Sequence, residues 1–554
     1  MDIPASESLW AGIDIGRHLF WFSPELALIC TMLAIVAAPL VLGRSARTIG
    51  AVASIGIVVS LILVVRVASL LSAADAEPVS GFSPNPASGM LIADNLATFY
   101  KFVLILFLAG VTYLWWLGSA EQERDAPEFF ILLIGSALGM ALMVSTSNLL
   151  MIVVAIEMAS LPSYAIVGIN KRDAKSAEAS LKYMIFGAIS AAAMVYGVSL
   201  LYGLTGSLDL GVVAGEVFNG LVGGNRFMIG VASFCLLAGI GFKISAVPFH
   251  FWCPDAFEGA KIEVTTWLSV ASKAAGLVLL LRVCGTLCAA VDVPESMDVI
   301  QPVAWVIGIM AMITCTWANF AAYHQTSVKR LLAYSSIAHA GYMLMAVTVF
   351  IHSEKLLVDP DFPLMGTTAN PAASALLAYI FIYLFMNLGA FGVVALVNWQ
   401  TGSDDIDQFT GLTRRAPWLA VPMIICLVSL IGLPPLAGFI GKWWILIALG
   451  QQGTILGWVL VVVAVVNTLI SLYYYLRVVV QMSLRDDGRP AFTPPVGGMA
   501  LVNACAVALL ALFLLVGPLK DTTDRFSRNA FNPYKITGTI PASADGLADA
   551  AGMK

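Results

Sequence analysis

The feature that most constrains this chain is a series of apolar segments, each about as long as a membrane span. A transmembrane helix needs about 20 mostly apolar residues. The sequence holds fourteen such segments, at about residues 24–42, 49–72, 98–118, 128–145, 148–169, 179–204, 227–250, 262–289, 299–321, 328–351, 372–398, 418–449, 454–481 and 497–516. They lack the alternating pattern of barrel strands, and helices are the other way to satisfy the backbone in lipid. The sequence therefore predicts an all-α polytopic membrane protein.

The composition excludes an ordinary soluble domain. Of the 554 residues, 59% are hydrophobic and 11% are charged, with a mean hydropathy of +0.89. Soluble domains contain about 25% charged residues. The first residues are acidic and lack the basic start of a cleaved signal peptide. We therefore expect one membrane domain without a separate soluble domain.

Motif and cysteine patterns give no sign of a bound cofactor. The sequence has no Walker loop, no dinucleotide glycine motif and no cluster of residues at metal-ligand spacing. Its eight cysteines lie in or beside apolar runs, and core packing explains the close pair Cys284 and Cys288. We expect this chain to carry no redox centre, no metal and no nucleic acid, and we do not expect ATP-driven pumping.

Basic residues indicate the orientation of the chain. Lysine and arginine concentrate in loops that join odd-numbered segments to the next even-numbered ones, such as those with Arg124, Lys171 and Arg172. Cytoplasmic loops carry such an excess, so both termini are predicted on the non-cytoplasmic side. Lys329 and Arg330 most simply anchor the start of a helix on the cytoplasmic side.

Four ionisable residues stand within apolar segments: Glu157, Lys243, Lys273 and Lys442. A charge at the bilayer centre costs between about 2.5 and more than about 10 kcal/mol, so such residues are rare and usually functional. Two structural alternatives stay open: a neutral Glu157 bonded to a neighbouring helix, and a Lys273 side chain that reaches the interface. We expect the four residues to hold and pass protons.

Prolines break two of the predicted helices beside these lysines. Pro248 follows Lys243 by five positions, and Pro434 and Pro435 precede Lys442. A proline within a helix removes a backbone hydrogen bond, and the freed backbone groups line polar sites in transporters with discontinuous helices. The sequence therefore predicts two interrupted helices, each beside a buried lysine.

Two histidines and one charged pair complete the candidate residues. His250 lies two residues beyond the first proline and can pass protons near neutral pH, with a capping or packing role as the alternative. His339, in mid-segment among small residues, is interpreted as functional. Glu178 and Lys182 are four residues apart and can pair on one helix face at the cytoplasmic edge, where a simple surface ion pair explains them equally well.

The stretches that hold these residues resemble the antiporter-like membrane subunits of respiratory complex I, the NADH:quinone oxidoreductase. The resemblance covers roughly residues 145–480 and rests on the motifs IEMASLPSYAIVG, SAEASLKYMIFGAISAA, GFKISAVPFHFWCPDAFEGA, VTTWLSVASKAAG, VKRLLAYSSIAHAGYML, GLPPLAGFIGKWW and SLYYYLRVV. It implies fourteen helices, two inverted five-helix repeats, discontinuous helices near Pro248 and Pro434, and a hydrated polar axis at mid-membrane.

The resemblance also implies residue roles. A glutamate and a lysine form a pair in this family, at the positions of Glu157 and Lys243, and further relay residues fall at Lys273 and Lys442. A lysine at position 442 fits the N and L types, because the M type carries a glutamate there. The chain ends soon after its last segment, without the long lateral helix of the L type. The implied division is 1–127 for helices 1–3, 128–290 for repeat 1 (helices 4–8), 291–490 for repeat 2 (helices 9–13) and 491–554 for helix 14 with a polar tail.

The function implied by the resemblance is that of a non-redox, proton-translocating subunit of an NADH:quinone oxidoreductase in a bacterial inner membrane. NADH, FMN, iron–sulfur clusters and quinone are expected in partner subunits, and the neighbours are expected to be membrane lipid and K-, J-, M- and L-type subunits. The alternatives are an Mrp-type Na⁺/H⁺ antiporter subunit and the equivalent subunit of a membrane-bound hydrogenase or plastoquinone-reducing complex. A scaffolding role would leave the intramembrane charges unexplained.

One stretch departs from the family pattern. The family usually continues Gly259-Ala260 with an uncharged Pro-Thr-Pro-like run, whereas this chain has Lys261, Ile262 and Glu263. The departure falls between the seventh and eighth segments, at the cytoplasmic edge. We expect the central relay to be kept and the conformation of this loop to differ.

Overall fold

The computed structural model describes residues 15–41, 43, 45–73, 79–81, 89–118, 125–222, 224–289, 297–357, 370–485 and 488–528. The helices are α1 (Ile15–Trp21), α2 (Ser23–Val41), α3 (Ala46–Ala73), α4 (Asn95–Gly118), α5 (Ala126–Ser145), α6 (Leu149–Val167), α7 (Ala174–Thr205), α8 (Leu210–Val222), α9 (Arg226–Ile244), α10 (Trp252–Gly259), α11 (Ile262–Ala289), α12 (Met297–Ala322), α13 (Val328–Leu357), α14 (Pro371–Thr401), α15 (Leu412–Arg415), α16 (Pro417–Ile431), α17 (Ala437–Gln451), α18 (Ile455–Ser483), α19 (Val496–Leu514) and α20 (Val516–Ser527). A 3₁₀ helix spans Ile406–Phe409, and the strands β1 (Val79–Gly81) and β2 (Leu91–Ala93) pair antiparallel.

The helix pattern confirms the membrane class. Thirteen of the described helices are long and apolar enough to cross a membrane, and the broken pair α16 and α17 makes the fourteenth crossing. Helices α1, α8, α10, α15 and α20, the 3₁₀ helix and the two strands were not predicted, because they are shorter than a span and lie in stretches taken as terminus, loop or tail. Residues 529–554 of the predicted polar tail lie outside the described residues.

A turn with the sequence Thr-Gly-Ser-x-Asp follows α7, at residues 205–209. It pairs with the start of α6, where Asn148 and Asp209 form an isolated β-bridge. The backbone N–H of Leu149 donates to the carbonyl of Leu208 over 2.8 Å. The turn therefore fixes the end of α7 against the beginning of α6.

The same turn occurs a second time, at residues 401–405 after α14. There Ser327, just before α13, forms the β-bridge with Asp405. The N–H of Val328 donates to the carbonyl of Asp404, again over 2.8 Å. Each turn also has its serine Oγ accepting the N–H of the last aspartate, over 3.2 Å in both copies.

These two turns align two halves of the chain, with α6 and α7 equivalent to α13 and α14. Helix α13 is the fifth crossing after α6, the four between them being α7, α9, α11 and α12. Because five is an odd number, equivalent helices run in opposite directions across the membrane. The broken helices α9–α10 and α16–α17 then occupy equivalent places. The architecture is that of two inverted repeats, each with one interrupted helix.

The helices that carry the central residues lie inside the bundle. All of the spanning part of α11 is buried, and almost all of that of α13. A buried ion pair at 2.8 Å joins Arg282 on α11 to Asp94, which caps α4, and Arg282 Nε donates to the carbonyl of Val144 at the end of α5 over 2.9 Å. Helices α4 and α5 are thereby joined to α11 by a buried ion pair and a hydrogen bond from a charged donor.

Candidate functional site

The first helix break lies between α9 and α10. Helix α9 ends at Ile244, Ser245 has a left-handed backbone with φ of 62°, and Pro248 lies in the turn before α10. Thr314 of α12 stabilises this turn, because its Oγ1 accepts the N–H of Val247 over 3.0 Å. The break therefore has the place predicted from the proline.

Lys243 occupies the last turn of α9 and is completely buried. Among the described residues, neither its Nζ nor the Oγ of Ser245 has a hydrogen-bond partner. Glu157, half-buried on α6, is close enough to Lys243 to interact electrostatically, but it makes no hydrogen bond to the ammonium. The structure thus brings Glu157 and Lys243 near each other without a direct hydrogen bond.

Lys273 on α11 lies in a pocket formed largely by α10. Its Nζ donates to Cys253 Sγ over 3.4 Å. The ammonium also lies 4.8 Å from the ring centre of Phe257 and 5.7 Å from that of Trp252. Aromatic faces attract a cation at this distance. The residue does not reach the interface, so the outward-reaching alternative is wrong.

The second helix break holds Lys442 directly. The ammonium on α17 donates to the carbonyls of Leu430 and Ile431, over 3.1 and 2.9 Å, at the end of α16. These carbonyls have no intrahelical partner because the helix stops there. A cation at a helix C-terminus also interacts favourably with the helix dipole. The break thus creates the binding position for the lysine.

His339 is the centre of a buried polar cluster on α13, α14 and α18. Its Nδ1 lies 2.6 Å from Tyr379 Oη, and its Nε2 lies 3.3 Å from Tyr475 Oη. The hydroxyl of Tyr475 also bonds to Ser335. The Nζ of Lys442 lies 4.4 Å from the ring centre of Tyr342, one helical turn from His339. The structure therefore brings His339 and Lys442 into one cluster.

Tyr383 on α14 lies between the two halves. Its ring centre is 5.2 Å from that of His339. Its hydroxyl is within electrostatic range of Cys253, whose sulfur contacts Lys273. Tyr383 is thus close to the His339 ring of the second repeat and within electrostatic range of Cys253 in the first.

His250 is buried beside the first break and packs against aromatic rings. The ring centres of Phe251 and Trp317 lie 4.4 and 6.2 Å from that of the imidazole. Its carbonyl accepts the N–H of Cys253 over 3.0 Å at the start of α10. The packing alternative therefore has direct structural support, and proton transfer by His250 stays a prediction.

Glu178 and Lys182 form the expected pair on α7, at 2.7 Å, with both side chains partly exposed. Lys182 also bonds to Asp255 on α10, over 3.0 Å. The pair therefore belongs to a larger charged network that sequence reasoning missed. The acidic residues three apart on one short helix, Asp255 and Glu258, were the available signal.

Sequence reasoning also missed the tyrosines and Cys253. Buried tyrosines are common in membrane helices, so a single Tyr in an apolar run carries little information. The run SLYYYLRVV, which contains Tyr475, was used for the family resemblance but not as a site. Among the described residues, no group of three or more His, Cys, Asp or Glu could hold a metal ion.

Comparison with known proteins identifies the family. The profile described as "NADH:quinone oxidoreductase/Mrp antiporter, TM" matches residues 146–358 and 362–470, more than half of the chain. A protein of Anaeromyxobacter sp. named "NADH-quinone oxidoreductase subunit N" is 36% identical, over 92% of this chain and 96% of its own.

Solved structures agree with this assignment. A chain of respiratory complex I from Thermus thermophilus superposes with a TM-score of 0.71 at 30% identity, over 91% of this chain and 99% of its own. A chain of the Mrp complex from Dietzia sp. has a TM-score of 0.78 over 94% and 99%, but only 18% identity, so it shows the fold alone. The chain therefore belongs to the membrane-subunit family of NADH:quinone oxidoreductases and Mrp antiporters, and within it to the group of subunit N of NADH-quinone oxidoreductase.

Proposed function

We propose that this chain is a non-redox subunit that translocates protons within an NADH:quinone oxidoreductase. The observation that carries the proposal is the pair of broken helices, each with a buried lysine, together with Lys273 and His339 buried on the two enclosed helices α11 and α13. Ionisable residues inside a membrane are otherwise costly and rare.

In this proposal protons move along the membrane plane through groups that hold and release them. Glu157 and Lys243 form the first station, Lys273 the second, and His339 with Lys442 the third. Cys253 contacts Lys273 at the second station, and Tyr383 packs beside His339 at the third. How tightly a buried ammonium holds its proton depends on nearby charges and hydration. Movement of Glu157 relative to Lys243 would therefore start the transfer.

The partners follow from the same proposal. Electron transfer from NADH to quinone takes place in other subunits, which hold the FMN and iron–sulfur clusters. The chain is a multi-pass protein of a bacterial inner membrane with both termini on the non-cytoplasmic side, beside M-, K-, J- and L-type subunits. The division at residues 127, 290 and 490 fits the two Thr-Gly-Ser-x-Asp turns, since each turn falls within one proposed repeat.

The proposal is tested with the intact complex in liposomes, by measuring protons moved per NADH oxidised. Lys243→Met is expected to lower this ratio, because it removes the titratable group of the first station while it leaves a side chain of similar length. Lys171→Met, at an exposed loop position, is the control and should match the unmodified complex. An unchanged ratio for Lys243→Met would contradict the proposal, and a ratio that depends on Na⁺ would favour the antiporter alternative.

A second prediction concerns Gly432, the residue that ends α16. It has φ of +85°, and an added Cβ would lie 2.8 Å from Cδ of Lys442. Gly432→Ala should therefore displace the lysine from its two carbonyls and lower the protons moved per NADH. Gly453 is the matched control, because it has φ of +63° with nothing within 4 Å of its Cβ position. Equal effects of the two substitutions would show that backbone strain alone is responsible.

A further inference from the structure

The pocket of Lys273 depends on α10, a helix of eight residues that stands between a break and a loop. Three α10 residues contact the ammonium: Trp252, Cys253 and Phe257. So short a helix is marginal without tertiary contacts. The position of α10 must therefore be fixed by its neighbours.

Lys329, the second residue of α13, fixes the C-terminal end of α10. Its Nζ donates to the carbonyl of Glu258 over 3.0 Å and to that of Ala260 over 2.9 Å, and the residue is only 8% exposed. Hydrogen bonds from a charged donor are stronger than those between neutral groups. This lysine therefore caps α10 from the other repeat.

Arg330, the next residue, binds the side chains of α10. Its Nη1 lies 3.1 Å from Asp255 Oδ1 and 2.5 Å from Glu258 Oε2. These two acidic residues are three apart and share one face of the helix. About a third of each of the three side chains is exposed, so the group is only partly screened by water. Two consecutive residues of α13 thus hold both the backbone and the side chains of α10.

The internal repeat supplies a comparison within the same chain. The aligned turns make Leu150 and Met151 of the first repeat equivalent to Lys329 and Arg330 of the second. Because the repeats are inverted, the equivalent positions lie on opposite sides of the membrane, and only the second repeat has cations at these positions.

Two further carboxylates lie near Lys329. Asp404 occupies the turn position that is Leu208 in the first repeat, and it is within electrostatic range of Lys329. Glu263, only 2% exposed, is also within range of Lys329. Glu263 lies in the first turn of α11. A buried carboxylate is thus near the lysine that caps α10.

We propose that Lys329 and Arg330 are positioning residues: the second repeat uses them to hold α10 against Lys273, so that the two halves share control of the Lys273 pocket. The proposal rests on the proton-relay function given above. Lys329 and Arg330 do not carry protons in this proposal; they affect the relay by fixing the position of α10.

The test uses Arg330→Leu and Lys329→Met in the intact complex, with two measurements. The first is the rate at which N-ethylmaleimide alkylates Cys253, determined by peptide mass spectrometry with buried Cys426 and Cys505 as internal references. We expect the alkylation rate to increase about tenfold, which corresponds to a loss of about 1.4 kcal/mol in the free energy that keeps α10 in place. The second is protons moved per NADH, which should fall toward the value of Lys273→Met.

The control is Lys175→Gln, which removes an exposed cation 4.0 Å from the same Glu258 carboxylate and should change neither measurement. Arg330→Lys should restore much of both. If the complex does not assemble with Arg330→Leu, Glu258→Gln breaks the same contact from α10 and is expected to have the same effects. The proposal would be overturned if an assembled variant had the same rate of Cys253 alkylation, or the same number of protons moved per NADH, as the unmodified complex. The Lys273→Met variant tests the relay itself. A failure of the relay proposal can therefore be distinguished from a failure of the positioning proposal.

Discussion

Complexes with Lys273→Met are expected to move protons through this chain at least about 100-fold more slowly, the usual effect of removing a proton-transfer group. Lys273→Arg should be equally impaired, although it keeps the positive charge and the aromatic contacts with Phe257 and Trp252. Arginine is always protonated in proteins and cannot release a proton. The measurement is NADH-driven acidification of proteoliposomes, normalised to the amount of assembled complex.

The arginine variant separates two roles for Lys273. If the lysine only neutralises or packs against its surroundings, Lys273→Arg will keep nearly normal proton movement while Lys273→Met will not. That result would remove Lys273 from the relay and leave it a structural cation. Electron transfer from NADH to a soluble acceptor provides the control, because it should be unaffected by either variant.

Substitutions at Lys442 are expected to separate assembly from transport. Lys442→Gln keeps a donor for the carbonyls of Leu430 and Ile431, so the complex should assemble, but the side chain cannot titrate and proton movement should fall as strongly as with Lys273→Met. Lys442→Glu places carboxylate oxygens against carbonyl oxygens at a helix C-terminus, which is repulsive. We expect much less assembled complex with the glutamate variant.

Both quantities can be measured on the same membranes, the amount of complex by native electrophoresis and proton movement by acidification. Good assembly with glutamate and normal transport with glutamine would together show that neither the carbonyl contacts nor titration of Lys442 matters. A matched comparison is available in Gly432→Ala, which disturbs the same contacts while the lysine stays present.

The sequence predicted those parts of the fold that depend on local physics. Segment length and apolarity gave the crossings, because a membrane helix must satisfy its own backbone. Pro248 and Pro434 marked the two breaks for a similar reason, since a proline cannot continue the hydrogen-bond ladder. Lys243 and Lys442 stood out because a charge in an apolar segment needs a special environment.

The parts that could not be predicted depend on which helices meet. Cys253 contacts Lys273 and Tyr379 contacts His339 across sequence separations of 20 and 40 residues, and no local pattern specifies such contacts. The network of Lys182 with Asp255 was missed for the same reason. The repeated Thr-Gly-Ser-x-Asp turn is different, because it is readable at residues 205–209 and 401–405 and would have given the alignment of the two repeats.

The complete enclosure of α11, and the near-complete enclosure of α13, has a consequence for biogenesis. These two helices are among the least apolar of the long helices described, yet they have almost no surface that faces lipid. Their entry into the bilayer cannot rely on contact with acyl chains, because polar groups such as Lys273 and His339 are tolerated there only against protein. The surrounding helices must therefore pack around α11 and α13 in place of lipid. Insertion of α11 and α13 is then cooperative, because it depends on helices that are synthesised before and after them.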